Sequence, residues 1–151
     1  MIVDTLKEDL KTAMKSKDAV RLRTIRSLRS AIMAKEIDLR SDGQGTISEE
    51  AAMEVLQKQA KQRRDSIAQY IAAGREDLRK TEEEELKVIE SYLPKQLSEE
   101  EIIAAVQDMI QATGASGMKD MGRVMGQAMS QLKGKADGSI VQKAARSLLS
   151  S

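Results

Sequence analysis

Tyr92-Leu93-Pro94-Lys95-Gln96-Leu97-Ser98-Glu99-Glu100-Glu101 ends one helix and begins another within ten residues. Pro94, the single proline of the chain, lacks an amide donor and pushes Leu93 away from helical angles. Ser98 followed three residues later by Glu101 has the form of a capping box, in which each side chain satisfies the other residue's free amide. Two helical regions are therefore expected, an N-terminal one over residues 1–94 and a C-terminal one over 95–151.

Downstream of Ser98, the residues Ile102, Ile103, Val106, Met109 and Ile110 fall at i, i+1, i+4, i+7 and i+8, one face of a helix. Thr113 to Gly117 interrupts it. Two more helices, about 118–132 and 139–149, are separated by a Gly134 to Gly138 turn in which Asp137 is the candidate cap. Three short helices suffice to enclose a small core.

Upstream, residues 75–92 read as a helix, and a longer one precedes it. That helix begins at Ser48 as N-cap, carries Ala52, Leu56, Ala60, Ile67 and Ile71 on one face, and ends at Ala73. Gly74 supplies the left-handed conformation common just past a helix end. A connection this short implies an antiparallel hairpin. Equal distance from the turn sets Arg64 opposite Glu85 and Ile67 opposite Glu82, so the seam holds opposite charges. An interhelical ion-pair network that fixes register explains this, with a functional polar cleft as the alternative. Further back, Ile2, Leu6, Leu10 and Met14 stripe a first helix, and Leu22, Ile25, Leu28 and Ile32 stripe a second that runs to about Leu39. Ser41 to Gly45 reads as a loop. The fold class is all-α, with N-terminal helical hairpins followed by a small three-helix domain.

The 151 residues include no Cys, no His, no Phe and no Trp, but nine Met and two Tyr. The core must be aliphatic. Disulfides, thiol nucleophiles, imidazole bases and the usual zinc ligand sets are excluded. No cofactor or metal is expected, since the consecutive carboxylates Glu82 to Glu85 point around the whole helix and do not converge on one ion. Serine chemistry lacks its histidine. Acidic Asp4, Glu8 and Asp9 near the start do not suit a signal peptide, and no apolar run approaches the ~20 residues that span a bilayer. The expectation is a soluble cytoplasmic protein without membrane contact.

A formal net charge of +1 gives no strong field for the whole molecule, so polyanion binding would depend on local patches. Two stand out. Arg21, Arg23, Arg26, Arg29 and Lys35 occupy a stretch free of acids. Arg23, Arg26 and Arg29 step by three along one flank, suited to gripping phosphate or to pairing with acids elsewhere in the fold. After Met109 the only acids are Asp120 and Asp137, against the bases Lys119, Arg123, Lys133, Lys135, Lys143 and Arg146. Within that stretch Met121-Gly122 and Met125-Gly126 repeat one turn apart, though glycine inside a helix costs about 1 kcal/mol relative to alanine. Close helix crossing, with Met118, Met121, Met125 and Met129 filling the core, is one reason to keep them. A smooth backbone against which a nucleic acid can lie is the other. Lys133 to Gly138 has the look of a phosphate loop, but Ala136 stands where a Walker motif needs Ser or Thr, and nucleotide hydrolysis is rejected. With two tyrosines, base stacking is closed off, and any RNA would be read by shape and phosphate.

Lys61-Gln62-Arg63-Arg64-Asp65-Ser66, Ala73-Gly74-Arg75-Glu76-Asp77-Leu78, Tyr92 to Glu100, Met121-Gly122-Arg123-Val124-Met125-Gly126 and Lys133 to Gly138 resemble, in order, the motifs of the YqeY family. The resemblance implies a C-terminal domain similar to the tail of GatB, the tRNA-binding subunit of the glutamine-dependent tRNA amidotransferase. It also implies a tRNA-binding accessory role, with the carbon–nitrogen ligase label of the family carried by association and no catalysis by this chain alone. tRNA, and an aminoacyl-tRNA synthetase or amidotransferase subunit, are the expected partners. The tRNA-contacting set would be Lys119, Arg123, Lys133, Lys135, Lys143 and Arg146, with Arg23 and Arg26 added from the N-terminal region. Pro94, Gly122, Gly126, Arg64 and Glu85 are expected to serve structure. A protein-interaction adaptor for aminoacyl-tRNA synthesis enzymes is the competing reading, and a ligase in its own right the third.

Overall fold

The computed structural model describes residues 1–41 and 46–150. It is all-helical, without a strand among the described residues. Beyond Ser41, the expected loop to Gly45 lies outside them. The chain divides into two compact units, Met1–Leu93 and Pro94–Ser151.

In the first unit, α1 (Ile2–Ser16) and α2 (Ala19–Ser41) form one hairpin, and α3 (Glu49–Ala72) and α4 (Glu76–Glu90) form another. Ser48 caps α3, its hydroxyl accepting from the Ala51 amide at 3.1 Å. Gly74 holds φ at 69° where α3 turns into α4. The core gathers Ile2, Leu6, Ala13, Ile25, Leu28, Ile32, Ala52, Leu56, Ala60 and Ile89. Three residues expected on these apolar faces, Met14, Ile67 and Ile71, lie outside the core. Met14 is 54% exposed and Ile71 60%. A strict four-residue repeat drifts 40° per step on a helix of 3.6 residues per turn, so by Met14 the stripe has rotated off the core and Ala13 takes the inward place. Ile71 sits at the tip of the hairpin, past the last buried layer.

The seam of the second hairpin differs in register from the equal-distance expectation. Arg63 occupies the centre, its Nη1 donating to Gln59 Oε1 at 3.0 Å and its Nη2 to Ser27 Oγ at 3.1 Å. Its Nε lies 3.3 Å from Glu85 and 3.7 Å from Glu82. Arg23 of α2 reaches the other oxygen of Glu85 at 3.0 Å. Arg64 pairs instead with Glu90 at 3.5 Å. Helical side chains lean toward their own N-terminus, and in an antiparallel hairpin that lean carries Arg64 toward the C-terminal end of α4. Arg63, 100° around the helix, faces the junction of α2, α3 and α4.

In the second unit, α5 (Glu99–Thr113), a 3₁₀ turn (Met118–Asp120), α6 (Met121–Gln131) and α7 (Gly138–Ser150) surround their own core of Ile102, Val106, Met109, Val124, Ala128, Leu132, Val141, Ala144, Ala145 and Leu149. Both bonds of the capping box are formed, the Glu101 amide to Ser98 Oγ at 3.1 Å and the Ser98 amide to Glu101 Oε1 at 3.2 Å. Gly114 closes α5 at φ 71°. The entering strand of backbone is tied to the α6–α7 turn, since the Leu97 amide donates to the Lys135 carbonyl at 2.8 Å and Gln96 Nε2 to the Gly134 carbonyl at 2.7 Å.

Candidate nucleic-acid interface

On α6, Val124 and Ala128 are buried while Gly122, Arg123, Gly126 and Ser130 are exposed, the two sets lying on opposite sides of a 3.6-residue helix. A Cβ added at Gly122 or Gly126 would meet nothing within 4 Å. Close helix crossing therefore does not explain these glycines. Met121 and Met125 do pack against the core, but Met118 is 46% and Met129 38% exposed, so the methionine row fills the core only in part. The outcome is bare helix backbone turned to solvent at Gly122 and Gly126, alongside the side chains of Arg123 and Ser130.

Cations stand at both ends of α6. Lys119 lies in the 3₁₀ turn and Arg123 in the first turn of α6, with Lys133 just past its end and Lys135 in the turn that follows; all four are exposed. Both acids of this stretch are committed to backbone amides. Asp120 accepts from the Ser116 amide at 2.9 Å, and that bond, followed by the charges of Arg123 and Lys119, holds its carboxyl below the usual range. Asp137 caps α7 by accepting from the Ser139 amide at 2.9 Å. Arg123 pairs with Asp120 at 3.2 Å and is still 56% exposed. Among the described residues, Lys119, Lys135, Lys143 and Arg146 form no ion pair.

Lys143 and Arg146 sit on α7 opposite the buried Val141 and Ala145. Lys119, Arg123, Lys133 and Lys135 thus lie on α6 and the segments flanking it, and Lys143 and Arg146 on α7. Arg23 and Arg26 lie on α2 of the other unit. A step of three turns the helix by 300°, so the row fans out rather than forming a line. Arg23 is held by Glu85, while Arg26 is exposed.

The ion-pair network expected across the α3–α4 seam is present; sequence reasoning missed only the neutral partners of Arg63, because Ser27 and Gln59 carry no signal at one-dimensional spacing. At that seam Glu82 Oε2 is buried without a hydrogen bond. Burial, followed by the charge of Glu85, raises the Glu82 carboxyl above its ordinary range, with Arg63 acting in the opposite direction. Sequence reasoning also missed Tyr92, whose hydroxyl donates to Asp9 at 2.5 Å and whose pKa is pushed up to about 12 by burial and that bond. Among the described residues no three acidic side chains gather as a metal site, and no helix is long and apolar enough to cross a membrane.

A family model described as Yqey-like protein matches residues 3–149. The chain belongs to the YqeY family. Relatives in fungi are named "Altered inheritance of mitochondria protein 41, mitochondrial". The one from Pyrenophora tritici-repentis is 34% identical over 95% of this chain and 78% of its own length. That from Vanderwaltozyma polyspora is 38% identical over 77% and 64%, and that from Lachancea thermotolerans 41% over 72% and 57%. This YqeY chain therefore spans under two thirds of the length of the latter two. Their names also overturn the cytoplasmic expectation, because the relatives are called mitochondrial. Composition fails here for a physical reason: a helical protein dissolved in either compartment meets the same demands of an aliphatic core and a charged surface.

Proposed function

We propose that this YqeY protein is a tRNA-binding accessory module that holds the phosphate backbone along the exposed side of α6. The observation that carries the reading is the pairing of two glycines facing open space with exposed Lys119, Arg123, Lys133 and Lys135 around them. Bare backbone at Gly122 and Gly126, one turn apart, lets a rigid polyanion approach closely, and the cations beside it supply the attraction. With α6 eleven residues long, the helix spans roughly 16 Å at 1.5 Å per residue, long enough to meet several phosphates. Recognition is by shape and charge, without base stacking. The resemblance to the tail of GatB supports the same substrate, and assistance to an amidotransferase or synthetase belongs with this proposal.

Titration of tRNA with the unmodified chain and with Lys133→Glu/Lys135→Glu tests it. The expected result is a loss of affinity of at least about tenfold in the variant, as removal of two phosphate contacts implies. Equal affinity, or no binding by the unmodified chain, overturns the reading.

A further inference from the structure

Large apolar side chains left in solvent are concentrated on the first hairpin. Val3 is 38% exposed and Met14 54% on α1, while Met33 is 57% and Ile37 59% exposed on α2. Val3, Lys7 and Met14 share one side of α1, being four and then seven residues apart. On α2, Arg26, Ser30, Met33 and Ile37 share another row at three- and four-residue steps. The two rows meet at a cavity of about 170 Å³ lined by Val3, Leu6, Arg29, Ile32, Met33 and Glu36. Lys7 and Arg26 are exposed and Arg29 is half-buried, and none of them forms an ion pair among the described residues.

We propose that this α1–α2 face docks an amphipathic helix of a partner protein whose apolar residues are bordered by Glu or Asp. The apolar centre supplies the desolvated area that protein interfaces bury, and methionine adapts its shape to the incoming side chain. The cavity between Val3 and Met33 is sized for one aliphatic anchor. Lys7, Arg26 and Arg29 around that centre are complementary to acidic flanks and set the partner's charge. RNA has no use for Met33 and Ile37.

The test presents the full chain to a displayed library of helical peptides, with Met33→Asp/Ile37→Asp and Arg26→Glu/Arg29→Glu as comparators. Met33, Ile37 and Arg26 are exposed and Arg29 half-buried, so both variants are expected to keep the helical circular dichroism of the parent. Enriched peptides should carry aliphatic residues at i, i+3 or i+4 with acidic flanks. They should bind the aspartate variant at least about tenfold more weakly, as loss of central anchors does, and the charge-reversed variant should select basic flanks instead. Absence of enrichment, selection indifferent to charge, or equal retention by the aspartate variant overturns the proposal. Sedimentation of the chain with phosphatidylserine vesicles that is lost in the aspartate variant also overturns it, in favour of a membrane.

Discussion

At Arg63 one guanidinium is shared between two neutral acceptors and two carboxylates, and the side chains of Arg63 and Glu85 are only 14% and 12% exposed. Removing Arg63 or Glu85 strands the buried charge left behind, at a cost of roughly 3 kcal/mol or more. Arg63→Ala is therefore expected to lower the urea midpoint well beyond Arg64→Ala, whose partner Glu90 is 36% exposed. Equal midpoints would refute the observed register. Glu82 acts in the opposite direction. Its carboxyl titrates above the ordinary carboxylate value, so the folded state binds a proton that the unfolded state has released, and stability from this group falls as pH rises through the raised pKa. Glu82→Gln should then raise the melting temperature at pH 7, with the gain shrinking on acidification. Tyr92 gives an alkaline counterpart: with its pKa near about 12 when folded against about 10 unfolded, its contribution is full below pH 10 and lost toward 12. Tyr92→Phe should remove that alkaline loss, and should cost about 1.5 kcal/mol at neutral pH through the missing bond to Asp9.

Among the elements, helix ends were the most legible in the sequence and helix faces less so. Ser48, Ser98 and Gly74 act through chemistry confined to one turn, and local chemistry is written locally. Ile71 depended on where the last buried layer stops and the Arg64 register on side-chain lean across the hairpin, neither of which spacing within one segment records, whereas Met14 left the core through the drift of its own four-residue repeat. The Met-Gly helix shows the same division: its periodicity was readable, but whether Gly122 and Gly126 faced a helix or solvent was a property of packing. Because a Cβ at either meets open space, Gly126→Ala is expected to stabilise the protein by about 0.5–1 kcal/mol. If this surface is where RNA lies, the same substitution weakens tRNA binding while raising the melting temperature. A drop in melting temperature would mean the glycine is needed for packing.

For the molecule as a whole, a net charge of +1 conceals an uneven arrangement. Acidic residues crowd α4 and the start of α5, whereas beyond Met109 six bases face two acids, both hydrogen-bonded to backbone amides. Uneven charge of this kind was visible in the sequence. The central claim is that roughly four cations on α6 and its turn neutralise phosphate, and counterion release turns that number into a measurable slope. The deciding measurement is tRNA affinity across a series of salt concentrations. A log–log slope of roughly −3 to −4 is expected, reduced by about two in Lys133→Ala/Lys135→Ala; affinity indifferent to salt, or a slope that the lysine variant leaves unchanged, would contradict the account.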